Sequence, residues 1–138
     1  MSEHWKSALE RHWAIEAALH PLAGEYDLNF LAKTAEGEGY ILKVMRTNCA
    51  RNLVDLQVSA LAHMADQPAA SLSPNVLLTK KGLPFVCVEG PAGEARLLWL
   101  LQQSPGRSYA QSFPKTPDLV FDLARTIGIT HSDLESFQ

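Results

Sequence analysis

Leu22-Ala23-Gly24-Glu25-Tyr26-Asp27-Leu28-Asn29-Phe30, followed further on by Tyr40-Ile41-Leu42-Lys43-Val44, is the stretch that decides the fold. A short polar loop carrying Gly24 separates the runs Ala17 to Leu22 and Leu28 to Thr34. Ala35-Glu36-Gly37-Glu38-Gly39 then separates the second run from a third, Gly39 to Met45. Short runs bounded by glycine-containing turns predict three antiparallel strands, the last two joined by a tight hairpin. The third strand carries one lysine, Lys43, among apolar neighbours. An ammonium in that setting is costly to bury without an anionic partner. Two partners suit it: a nucleotide phosphate, or a carboxylate on a helix packed over the sheet.

Upstream, Trp5, Leu9 and Trp13 recur every four residues from about Ser2 to Ile15, which predicts an amphipathic helix. Downstream, Leu53, Leu56, Ala60, Leu61 and Met64 recur at spacings of three and four and predict a second helix over Ala50 to Ala65. Strand pattern resumes at Val76 to Thr79, turns through Lys80-Lys81-Gly82 and returns as Pro84 to Val88. Ala95 to Leu101 is apolar enough for a buried strand. Gln102 to Lys115, with Ser104-Pro105-Gly106 and Phe113-Pro114, has the composition of a linker. Thr116-Pro117-Asp118 then offers a capping hydroxyl, a proline suited to the first helical position and an early acid, opening a last helix striped by Leu119, Leu123, Ile127 and Leu134. Five or six strands interrupted by one internal helix imply an α+β layer structure.

The chain has 138 residues, 46% hydrophobic and 20% charged, an ordinary globular balance for one domain or one lobe. Twelve basic against 15 acidic residues leave a net charge of -3 and no basic stripe, so no nucleic-acid partner is expected. Cys49 and Cys87 are isolated and lack metal or redox spacing, which predicts small, buried, reduced side chains. His4, His12, His20 and His63 are scattered without ligand spacing, so no metal site is expected. With no apolar run of spanning length and no secretory start, the expectation is no membrane contact and a cytoplasmic location.

Taken in order, Gly24-Glu25-x-Asp27-x-Asn29-Phe30, the hairpin, Tyr40-Ile41-Leu42-Lys43-Val44, Asp55-Leu56-Gln57, and Arg96-Leu97-Leu98-Trp99-Leu100 with Pro105-Gly106-Arg107 resemble a known arrangement. They look like the N-terminal lobe of the aminoglycoside phosphotransferase family, closest to its hydroxylysine kinase-like and homoserine kinase-like branch and to the phosphotransferase domains fused to class III aminotransferases. The resemblance runs from about Trp5 to Leu134. It implies a protein-kinase-like N lobe over 1–101, with a five- to six-stranded antiparallel sheet, one packed helix and an N-terminal helix. The hinge linker and the first helix of an absent C lobe would occupy 102–138.

The resemblance also implies ATP as ligand. Gly24 to Phe30, including Glu25, would form the loop over the phosphates, and Lys43 would contact the α- and β-phosphates, as neutralising a polyanion requires. Asp27 and Asn29 are expected to shape the turn through their side chains, with direct phosphate contact the alternative. Kinase-like folds hold the strand lysine with a helix acid. Here Asp55 is the charged candidate and Gln57 the better placed one, and their spacing of two puts them on different sides of the helix. Arg96 to Leu101 would lead into the hinge, where backbone at Leu100 and Leu101 would hold the adenine. Trp99 is read as core or hinge packing, with a stacking role the alternative.

No catalytic residue is identified. His131-Ser132-Asp133 superficially matches the family's His-Gly-Asp, but Ile127, His131 and Leu134 fit a helix-packing pattern instead, and the sequence stops at Gln138. Magnesium would be held only with the missing lobe. The expectation is an ATP-binding lobe of a small-molecule kinase that does not transfer phosphate alone, completed by a C-terminal lobe or partner chain. The alternative is a non-enzymatic, truncated kinase-like module that binds nucleotide or another protein. Leu119, Leu123 and Ile127 would then be exposed and could promote homo-oligomers.

Overall fold

Alternation along the strands sorts the sheet into two faces, and each face has its own helix. A computed structural model describes residues 2–138. The chain runs α1 (Ser2–Trp13), β1 (Ala18–Leu22), β2 (Leu28–Lys33), β3 (Gly39–Val44), α2 (Arg51–Ala65), β4 (Val76–Leu77), β5 (Val86–Glu89), β6 (Ala95–Gln102) and α3 (Pro117–Leu134). The sheet is six-stranded and antiparallel throughout, in the order β1-β2-β3-β6-β4 with β5 also paired to β6.

One face presents Phe30 and Ala32 of β2, Leu42 and Val44 of β3, and Leu98 and Leu100 of β6. Against them α1 buries Trp5, Ala8, Leu9 and Trp13, the predicted stripe. Complete burial of a side chain such as Leu9 contributes about 2 kcal/mol, and the Trp13 indole N–H reaches the Leu77 carbonyl at 3.0 Å, so its polar atom is not stranded. The opposite face of β6, with Met45 and Phe85, packs under α2 through Leu97 and Trp99. Arg96 braces this end, donating to the Met45 carbonyl at 2.9 Å while paired with Glu94 at 3.0 Å.

Four expectations about packing are corrected, the last of them on α3. The buried face of α2 is Val54, Val58 and Met64, while Leu56 is 55% exposed. At 3.6 residues per turn, Leu56 lies on the other side from Val54 and Val58. Met64 is buried as expected and Leu61 packs against the same cluster, so the stripe is shifted toward Val54 and Val58 and leaves Leu56 outside it. Second, β4 and β5 do not form a hairpin with each other. They lie end to end along one edge of β6, β5 opposite Ala95 to Leu98 and β4 opposite Leu100 and Leu101. An eight-residue strand is long enough to pair with both. The turn between them is organised by Thr79, whose buried hydroxyl accepts from the amides of Lys81 and Leu83. Third, Cys87 is exposed on β5, which pairs only with β6, and Cys49 is half-buried; both are free thiols.

At the C-terminal end the predicted cap is present: the Thr116 hydroxyl accepts from the Leu119 amide at 3.2 Å, with Pro117 opening the helix. None of the described α3 residues is buried, and Phe121 and Ile127 are 68% and 60% exposed. His131 is exposed too, contrary to the packing role expected of it. The contact with α2 is made at the other end, where the His63 ring meets the Asp133 carbonyl at 2.9 Å, the Ser136 hydroxyl at 3.1 Å and the Phe137 ring at 5.5 Å. No described helix is long and apolar enough to cross a membrane.

Candidate functional site

The α2-side face of β1, β2 and β3 lies outside both buried clusters and runs on into β6, where Trp99 belongs to the α2 cluster and Leu101 packs against it. Its residues stand in rows set by the register. Leu22, Asn29, Lys43 and Trp99 form the first row, and His20, Leu31, Ile41 and Leu101 form the next, each residue opposite its neighbour. Leu31, Ile41 and Leu101 are half-buried and Leu22 is 42% exposed. The result is an apolar shelf with the Lys43 ammonium at one end. Beyond its far end, a cavity of about 390 Å³ is bordered by Lys33, Gly39, Tyr40, Gln103 and Pro105.

Residues Ala23 to Asp27 connect β1 to β2 at the Lys43 end of the shelf. Among the described residues, no acceptor takes a hydrogen bond from the amides of Gly24, Glu25 and Tyr26. Glu25 and Tyr26 are exposed. The loop is nevertheless anchored. The Asp27 carboxylate accepts from the Arg46 amide at 2.8 Å and lies 4.0 Å from its guanidinium, so its charge is answered from just beyond β3. The Asn29 amide donates to the Asp27 carbonyl at 3.4 Å. Gly24 has no room for a side chain: an added Cβ would lie 2.5 Å from the Asp27 carbonyl oxygen and 2.7 Å from the Asn29 amide nitrogen. A close backbone approach, not a left-handed conformation, is what requires glycine here.

Lys43 donates to the Asn29 side-chain oxygen at 3.2 Å and lies 5.6 Å from the centre of the Trp99 ring. The hairpin is symmetric about Glu36, so counting outward from that turn puts Asn29 across from Lys43. That signal was available in the sequence. Asp55, by contrast, is exposed, and among the described residues no ion pair joins it to Lys43. Gln57 is half-buried on the flank of the packed face and makes no hydrogen bond to Lys43.

Of the hinge-side candidates, Trp99 takes the packing role expected of it, and Leu100 and Leu101 are placed differently. Trp99 is 3% exposed and points its indole N–H at the Met45 sulfur, 3.2 Å away, so it is a core side chain with no free face for stacking. The Leu100 side chain is buried on the α1 side, away from Lys43. Leu100 and Leu101 each have ladder partners on both edges, in β3 and in β4, which occupies their backbone groups. Gln102 and Gln103 continue the pairing, donating to the Asn75 and Gly39 carbonyls. Chain released from the sheet therefore begins after Gln103. Leu101 alone of the three has its side chain on the shelf.

The chain is similar over 100% of its length to an amicoumacin kinase solved in complex with AMP-PNP, Ca2+ and Ami, at a TM-score of 0.72 and 19% identity. A microcompartment-associated aminopropanol kinase matches 99% of the chain at a TM-score of 0.75 and 21% identity. The fold is that of a kinase N lobe. The match spans 44% and 41% of those two chains, in their N-terminal portion. No family model matches the sequence, and no curated protein matches it. At these identities the likeness establishes architecture, and the chemistry rests on the residues above.

Proposed function

We propose that this chain is the ATP-binding lobe of a small-molecule kinase of the aminoglycoside phosphotransferase type. The observation that carries the reading is Lys43 standing between an open apolar shelf and a loop of uncommitted amides. A flat base suits exposed Leu22 and half-buried Leu31, Ile41 and Leu101, whose apolar surface is only partly covered. Lys43 neutralises the α- and β-phosphates, and the Gly24 and Glu25 amides approach them from above, since phosphoryl transfer depends on positioned, countered charge. Asp27 and Asn29 shape the loop, and Gln57 is nearer the packed side of α2 than Asp55. Backbone past Gln103 takes the polar edge of the base.

The division at about residue 101 is part of this proposal: 1–101 binds nucleotide, and 102–138 leads toward a second lobe. That lobe, in the same polypeptide or a partner chain, supplies the catalytic Asp, the magnesium ligands and the acceptor site, for which these 138 residues offer no counterpart. A cytoplasmic location accords with a nucleotide substrate. By itself the chain binds ATP and does not transfer phosphate.

The test is ATP titration of the purified chain, with and without magnesium, followed by calorimetry and thermal unfolding. ATP at about 100 times its dissociation constant stabilises a binding-competent fold by about 2.7 kcal/mol. Lys43→Ala is expected to abolish most of that protection. An absence of protection at millimolar ATP, or equal protection of the variant, would remove nucleotide from this face.

A further inference from the structure

We infer that Asn29, a strand amide, is the positioning residue for Lys43 and takes the place of a helix acid; this rests on the nucleotide reading above. Among the described residues the ammonium has one side-chain hydrogen-bond acceptor, the Asn29 oxygen at 3.2 Å. Directly opposed residues of paired strands have Cβ atoms about 5 Å apart, so this partner is set by the β2–β3 register and not by the seating of a helix. The other end of the same amide is turned toward the Asp27 carbonyl at 3.4 Å, and Gly24 packs against both. Lys43, Asn29 and the loop thus form one connected unit.

Two consequences separate this clamp from an ionic one. A neutral acceptor orients the ammonium without cancelling its charge, so the full positive charge remains available to a polyphosphate. A carboxylate at the same place would orient it equally well but compete with the phosphates for it. The second consequence concerns coupling. Because Asp55 is exposed and Gln57 makes no bond to Lys43, lysine orientation follows the β1–β2 loop and takes no direct bond from α2, which reaches it only through the Trp99 ring at 5.6 Å.

The experiment has a ligand-free arm and a nucleotide arm. In the ligand-free chain, carbon-13 relaxation at the Lys43 Cε reads its order in Asn29→Ala, Asn29→Asp, Asp55→Ala and Gln57→Ala. Order is expected to fall in Asn29→Ala and to persist in the other three. ATP titration is expected to show about tenfold weaker binding in Asn29→Ala, from loss of a hydrogen bond to a charged group, and a loss at least as large in Asn29→Asp. Asp55→Ala and Gln57→Ala stay within about twofold. If Asn29→Ala disturbs folding, Asn29→Ser provides the same comparison with a shorter side chain. Asn29→Asp is diagnostic because it retains an oxygen acceptor, so a purely structural role would leave ATP affinity intact. Unchanged order in Asn29→Ala, loss of order in either α2 variant, or full affinity in Asn29→Asp overturns the inference. Failure of the wild-type chain to bind ATP would instead defeat the nucleotide reading, while the relaxation arm would still decide what holds Lys43.

Discussion

Replacing Gly24 by alanine tests whether the β1–β2 loop is closed on itself as tightly as its geometry requires. The new Cβ would sit 2.5 Å from the Asp27 carbonyl oxygen, which must retreat by about 0.9 Å to reach ordinary van der Waals separation. The Asn29 nitrogen, at 2.7 Å, must retreat by about 0.7 Å. The carbonyl cannot move freely, because the same Asp27 is tied by its carboxylate to the Arg46 amide at 2.8 Å. Nor can Asn29 move without carrying its 3.2 Å bond to Lys43. Strain of this kind costs about 1–2 kcal/mol, which for a domain of this size lowers the melting temperature by about 4–8 °C. The matched control is Gly128→Ala in α3, where nothing lies within 4 Å of the added atom. There alanine replaces glycine inside a helix and should stabilise by up to about 1 kcal/mol. Thermal unfolding of both variants, with ATP titration of the first, is the assay. Equal melting temperatures for wild type and Gly24→Ala, together with undiminished ATP affinity, would refute the argument that loop, Asn29 and Lys43 move as a unit.

The remaining expectations concern the packed face of α2 and acid stability. Val58→Ala removes apolar volume at a site 5% exposed and should cost about 1.5–3 kcal/mol, whereas Leu56→Ala, at 55% exposure, should change stability by less than about 0.5 kcal/mol. Denaturant titration of the pair decides between the two helical stripes, and the reverse ranking would put the leucine face inward. His12 is held below its ordinary value of 6.5, first by burial and then by the Arg11, Lys81 and Lys80 cations. The unfolded chain therefore takes up the proton first on acidification. Stability from this site is fully present above pH 6.5 and is lost as the pH falls toward the lower folded value. Melting temperatures measured across that range should fall less steeply in His12→Gln; parallel curves would assign acid sensitivity elsewhere.

Much of this architecture is legible in local pattern, because strand alternation, glycine turns and helix periodicity act over a few residues. Trp5, Leu9 and Trp13 on α1, the Gly37 hairpin and the Thr116 cap all follow from such short-range rules, and all are present. The α2 stripe is legible at Leu61 and Met64 but not at Leu56, because a single helix offers two candidate faces, and only the sheet beneath it selects Val54 and Val58 over Leu56. The end-to-end placement of β4 and β5 on β6 depends on pairing between distant segments, for which a local turn such as Lys80-Lys81-Gly82 carries no information.

The site divides in the same way. Lys43 stands out in the sequence as a charge in an apolar strand, and the loop around Gly24 stands out by its composition. The sequence points to the helix, at Asp55 and Gln57, for what holds the lysine, whereas the register supplies Asn29. The sequence by itself determined the strands, the helices and the identity of the unusual cation, since each follows from residues close along the chain. Only the tertiary structure decided which face remains open, that no α2 side chain bonds Lys43, and that Leu101 lies on the shelf. Those outcomes depend on which segments lie across from one another, and cross-strand register and helix seating are settled when distant surfaces are buried together.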